Sequence, residues 1–165
     1  MFSAYLSRNA PADFQGGDFQ DIPLWREMNY KLISLIISRH SGPLIIPMTI
    51  VNPAYYDEII GRLIADGLDV RHFILYASKD EIKRRLLFRI SGIFGGDTFA
   101  LSSIDRCIHA FDNLITGNKI DTEQMSIDEV VGEIAQKCDI SLPPDKKTKL
   151  GKFLFRMSVL RRHIR

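Results

Sequence analysis

The chain has 165 residues, 45% of them hydrophobic and 25% charged, with a formal net charge of +2, which suits a globular protein with room for one core rather than two. No apolar run approaches the roughly 20 residues needed to span a bilayer, and the N-terminus has neither a basic start nor a cleavable apolar stretch, so a cytoplasmic protein is expected. Eight Lys or Arg against one Asp fall within residues 141–165, leaving the first 140 residues acidic; the pattern suits an acidic or membrane-surface partner for the tail, or contact with the acidic body itself, and no nucleic-acid partner is expected.

Taken in order, Met1–Arg8 is apolar at helical spacing (Phe2, Tyr5, Leu6) but begins inside the pattern, without a cap. Pro11–Gly17 is a loop by composition. Asp21-Ile22-Pro23 then opens a helix, with Asp21 as N-cap and Pro23 in the first turn, predicted to run to about His40. Its expected buried stripe is Leu24, Met28, Leu32, Leu35 and Ile36, with Trp25, Arg26 and Asn29 on a polar or mixed face.

Residues 44–51 form a continuous apolar run between turn residues, the pattern of a strand covered on both faces. Ligands of open α/β sheets sit beyond the carboxyl ends of strands, and this one delivers Thr49 and Asn52 there. Asn52-Pro53 reads as a cap followed by an N1 proline, and the ensuing helix through Tyr56, Ile59, Ile60 and Leu63 should close at Gly67. A second strand is expected at 72–77, making a parallel βαβ unit with the first.

Ser78-Lys79-Asp80-Glu81 has the form of a capping box for a basic helix over 82–89. A Gly-rich loop at 91–98 leads to a helix from Ser102 or Ser103 to about Leu114. A short strand at 117–122 and a second capping box, Ser126-Ile127-Asp128-Glu129, precede a helix ending near Cys138. After Pro143-Pro144, Leu150, Phe153, Leu154, Met157, Leu160 and Ile164 lie on one face of a basic helix. The alternation implies an α/β fold.

Chemistry is sparse. Cys107 and Cys138 lack a partner motif and read as reduced, half-buried thiols; His40, His72, His109 and His163 are scattered, and no metal is expected. Arg85 and Arg89 project from one helical face, with Arg106 beyond a glycine-containing hinge, so the three guanidiniums suit either a phosphate-covering lid or a solvated face paired with Asp80, Glu81 or Asp105. Trp25-Arg26 suits a ring-and-anion site or ordinary packing. No GxxxxGK[ST], GxSxG or HExxH occurs, so no catalytic residue is identifiable from motifs.

Three blocks, Asp18–Arg26, Ile46–Pro53 and Glu58–Leu63, together resemble the tunicamycin-resistance protein family of ATP-binding, kinase-like P-loop proteins. The likeness continues through Ala77-Ser78-Lys79, Arg85, Arg89, Ile104–Cys107 and 122–135. It implies a three-layer parallel sheet of the P-loop kinase type, here lacking the first two strands and the phosphate loop, with a lid over about 82–114. It further implies that residues 1–140 form a partial kinase-like domain and that 141–165 are a basic helix docked on it.

By the same resemblance Arg85, Arg89 and Arg106 cover the nucleotide phosphates, while Gln20, Trp25, Arg26 and Thr49 line the side of a nucleoside-type antibiotic. ATP and Mg²⁺ are expected of the complete family member. Without the loop there is no nest of backbone N–H groups, no Lys and no Mg²⁺-holding Ser or Thr for them in this chain. The expected function is therefore the C-terminal portion of an ATP-binding, kinase-like antibiotic-resistance protein that acts on or binds a small nucleoside-like molecule, with a non-enzymatic ligand-sequestering or membrane-surface module, or an inactive fragment, as the alternative.

Overall fold

The computed structural model describes residues 18–87 and 98–144, together with Gly151, Phe155 and Ser158. The chain divides into two compact units, residues 1–125 and 126–165.

The first unit opens with a 3-10 turn, Phe19–Asp21, capped by Asp18, whose Oδ1 accepts the Gln20 N–H at 3.1 Å. Helix α1 spans Pro23–Ile37. Proline is tolerated at its start because a first-turn N–H has no intrahelical acceptor. The N-cap is Ile22, without a side-chain cap, and not Asp21. Asp21 instead accepts the Tyr55 hydroxyl at 2.8 Å.

The buried face of α1 is opposite to the expected one. Arg26 and Ile33 are buried, and Trp25, Tyr30 and Ile37 pack against the core, whereas Leu24, Leu32 and Leu35 are 65%, 50% and 48% exposed. Arg26, Tyr30, Ile33 and Ile37 follow i, i+4, i+7, i+11 spacing, so the buried stripe is of mixed character and begins with a residue expected on the polar or mixed face. Arg26 is buried with its guanidinium on Glu58.

The strand expected at 44–51 is not formed: residues 43–52 carry neither helix nor strand, and Leu44, Ile45 and Ile46 are exposed, Ile45 by 84%. The anticipated parallel pairing of this run with residues 72–77 is therefore absent. Strand identity requires a hydrogen-bonded neighbour, and no described residues pair with this run; apolar content alone cannot supply one. Only its end is buried, where Ile50 joins Ile33, Ile59 and Leu63 in the hydrophobic core.

From Asn52 the prediction holds. Its side chain accepts the Ala54 N–H at 2.9 Å and caps α2, Pro53–Tyr56. A π-helical turn, Asp57–Gly61, leads into α3, Arg62–Ala65. Gly67 ends this helical stretch at φ +82°, a conformation that disfavours a side chain. Ile59 is fully buried, and residues of this size each contribute about 1.5–3 kcal/mol on burial. The Arg62 guanidinium lies over the Tyr30 ring at 3.6 Å and binds Glu27, tying α3 to α1.

Strands β1, Phe73–Tyr76, and β2, Asn118–Asp121, form a two-stranded parallel sheet in the register Phe73–Asn118 through Tyr76–Asp121. A parallel pair needs a crossover; here it contains α4, Lys79–Leu87, and α5, Thr98–Asn113, which begins earlier than expected. Ile74 and Ile120 are buried, while Leu75, the register partner of Ile120, is 56% exposed.

Half of the first capping box forms. Ser78 Oγ accepts the Glu81 N–H at 3.3 Å, but the Ser78 N–H and hydroxyl donate to Glu123, and Glu81 turns to Arg84 and Arg85. In the second unit both bonds of the Ser126–Glu129 box are present, at 3.3 and 2.7 Å, and open α6, Ile127–Lys137. The expected start at 1–8, the loop at 91–97 and the docking or membrane contact of the tail lie outside the described residues. Among those described, no helix is long and apolar enough to cross a membrane.

Candidate functional site

A cavity of about 340 Å³ opens between the 18–21 turn, the segment from Val51 to Tyr55 and α5. Local chemistry positions each wall. The Asp18 cap folds the turn, the Asn52 cap starts α2 so that Tyr55 follows on its first turn, and Arg106, His109 and Ala110 recur at i, i+3, i+4 on one face of α5. Gln20 joins the turn to the other wall, its Nε2 donating to the Thr49 carbonyl at 2.9 Å.

The lining is part polar and part apolar. Asp18, Gln20, Asp21, Asn52, Tyr55, Arg106 and His109 contribute the polar groups, and Val51, Pro53, Ala110 and Leu114 the apolar surface. Arg106 donates through Nη2 to Asp18 Oδ2 at 3.1 Å, linking α5 to the turn across the mouth. The bond from Tyr55 to Asp21 raises the phenol above its ordinary value, because a nearby carboxylate opposes loss of the proton, and burial adds to the effect.

The residues singled out in the sequence separate into three environments. Gln20 and Arg106, one from the expected ligand side and one from the expected lid, line the same cavity. Arg26 lies behind it: the guanidinium donates to Glu58 through Nε at 2.6 Å and Nη2 at 3.3 Å, to the Gln20 carbonyl through Nη1, and sits 4.2 Å from the centre of the Tyr55 ring. Trp25 packs on the hydrophobic core, with its Nε1 buried and, among the described residues, without a hydrogen-bond partner. Thr49 is exposed and offers its carbonyl to Gln20.

Arg85 occupies a different place. Its Nε meets Glu81 at 2.6 Å, and its Nη1 and Nη2 donate to the Thr122 hydroxyl and carbonyl at 3.0 and 2.7 Å, clamping α4 to the end of β2. Arg89 lies outside the described residues. Cys107 and Cys138 are free and half-buried, and burial pushes the Cys107 thiol up.

Asp18, Asp21, Tyr55 and His109 are cavity residues that the sequence reading does not single out, Asp21 being expected only as a helix cap and His109 only as structural; Asn52, expected both as a cap and at a ligand-facing end, caps α2 and lines the cavity. The i, i+3 spacing of Arg106 and His109 was a readable signal; the approach of the 18–21 turn to α5 was not, because it joins residues 88 apart.

Arg85 is engaged by Glu81 and Thr122, Arg106 by Asp18, and no stretch of the sequence spells the loop whose N–H groups and Lys would cradle phosphates. Among the described residues no three His, Cys, Asp or Glu converge as a metal site.

No family model matches the chain. No curated protein matches it either. Among solved structures it is similar to the tunicamycin resistance protein of Deinococcus radiodurans, at 24% sequence identity over 86% of this chain and 80% of that one, with a TM-score of 0.64. The small parallel sheet and its surrounding helices thus have the α/β fold of a tunicamycin resistance protein.

Proposed function

We infer that the chain is the ligand-binding part of a resistance protein, and that it holds a nucleoside-type compound, tunicamycin or a relative, in the cavity bounded by the 18–21 turn, Asn52, Tyr55 and α5. The observation that carries this reading is the meeting of Gln20 and Arg106 in one cavity that combines polar groups with an apolar wall. Small-molecule sites generally have this make-up, a concave apolar surface with a few convergent polar groups. Fold likeness to a protein named for tunicamycin resistance supports the choice of ligand class. Arg26 is a positioning residue here, holding the Gln20 carbonyl and the Tyr55 ring.

The resemblance in sequence adds ATP and Mg²⁺ for a complete kinase-like protein. The sequence spells no phosphate loop for them, and binding is the activity proposed. Trp25 is the only tryptophan of the chain and packs on the same core as Tyr55, so its emission reports on the site. Titration of the purified chain with tunicamycin should give a saturable change in Trp25 emission and a raised melting temperature, both weakened by Tyr55→Ala. Absence of both responses would overturn the reading. A gain of one phosphoryl group by tunicamycin in the presence of ATP and Mg²⁺, seen by mass spectrometry, would replace binding with transfer.

A further inference from the structure

The geometry of the cavity points to an uncharged ligand group, a nucleoside or glycoside bearing hydroxyls and amides, in preference to its phosphorylated counterpart; this rests on the ligand-binding reading above. Two carboxylates, Asp18 and Asp21, line the cavity with one guanidinium, Arg106, and one imidazole, His109. Arg106 is already paired with Asp18 at 3.1 Å, and Asp21 has no ion pair among the described residues. One Asp21 oxygen accepts the Tyr55 hydroxyl, and among the described residues its other oxygen makes no hydrogen bond. A phosphate entering the cavity meets this like charge and would have to compete with Asp18 for Arg106.

The hydrogen-bonding capacity left in the cavity has the opposite preference. Asn52 uses its carbonyl oxygen to cap α2, and Gln20 uses its amide nitrogen on Thr49, so an amide N–H₂ remains on Asn52 and an amide oxygen on Gln20. Hydroxyl groups, which donate and accept, match an amide donor, an amide acceptor and a carboxylate acceptor in one cavity. Pro53 and Leu114 beside them give a sugar or base an apolar face to lie on. Neither preference follows from the arginine-rich composition of the predicted lid.

The test uses the full chain with tunicamycin, uridine and uridine monophosphate, titrated by calorimetry or NMR at about pH 8, where free imidazole is uncharged. Uridine is expected to bind about tenfold or more tightly than the monophosphate. Asp21→Asn, which keeps an oxygen for Tyr55 but removes the charge, should narrow that ratio several-fold. Tighter or equal binding of the monophosphate overturns the inference, as does a ratio unchanged in Asp21→Asn. Binding of tunicamycin with neither small probe bound also overturns it while leaving the binding reading intact. Failure of tunicamycin itself to bind sinks both.

Discussion

Arg26 and Glu58, 32 residues apart in sequence, meet through two hydrogen bonds of 2.6 and 3.3 Å, with the Arg26 side chain 7% exposed and that of Glu58 45% exposed. The asymmetry of burial decides what each partner tolerates. Loss of Arg26 leaves a carboxylate that can rehydrate; loss of Glu58 leaves a guanidinium that cannot.

Glu58→Ala is therefore expected to cost about 3 kcal/mol, and Arg26→Met, which keeps the volume and removes the charge, about 1–2 kcal/mol. Denaturant unfolding of the two variants measures this. A larger loss for Arg26→Met would show that the pair is not governed by the desolvation of the arginine.

Thr122 is buried and serves two partners, donating to the Tyr76 carbonyl at 2.9 Å and accepting from Arg85 at 3.0 Å. Thr122→Val preserves the shape and leaves both partners without the hydroxyl, for an expected loss of about 1–3 kcal/mol, whereas Thr122→Ser should lose less. Thermal unfolding distinguishes them; equal melting temperatures for Val and wild type would remove the clamp from the account.

Gly117 precedes β2, where an added Cβ would lie 2.7 Å from His72 Nδ1 and 3.2 Å from Ile74 Cδ1. The His72 ring is held by the Thr116 carbonyl at 3.1 Å and by the Tyr56 ring, so it has little room to move. Gly117→Ala should destabilise by about 1–3 kcal/mol. Adding His72→Ala should recover part of that loss, so the double variant is less destabilised than the sum of the single ones. Simple additivity would count against the clash.

Glu81 accepts from Arg84 and then Arg85, and the two guanidiniums hold its carboxyl at about 2, below the ordinary 4.5. A lowered value in the folded state means that the pairing stabilises fully above the unfolded value and that its contribution disappears as the pH falls from about 4.5 toward 2. The arginine side chains are 61% and 41% exposed, so salt should weaken the effect. Melting temperatures of wild type and Glu81→Gln should converge across that acid interval; a gap that stays constant would show that Glu81 does not titrate with these partners.

Much of the framework was legible because it depends on neighbours in sequence. The Asn52-Pro53 helix start, the stop at Gly67 and the Ser126–Glu129 box each rest on groups within a few residues of one another, and the segments at 73–76 and 118–121 are strands because each is the other's partner. The run at 44–51 failed for the complementary reason, since a strand exists only through a partner elsewhere in the chain. On the half-formed Ser78 box, Glu123, 45 residues away, takes the hydrogen bond that local spacing offered to Glu81.

The sequence by itself determined the α/β alternation, the helix caps and the set of arginines and amides available for a site. Tertiary structure decided which of them meet. The apolar stripe expected to be buried on α1 is largely exposed, and the face buried instead carries Arg26, paired with Glu58, and Ile33. Arg85 and Arg106 were equal as lid candidates, and packing gave one to Thr122 and the other to the cavity beside Asp18. Such choices depend on desolvation and on contacts between residues far apart in sequence, which residue spacing does not encode.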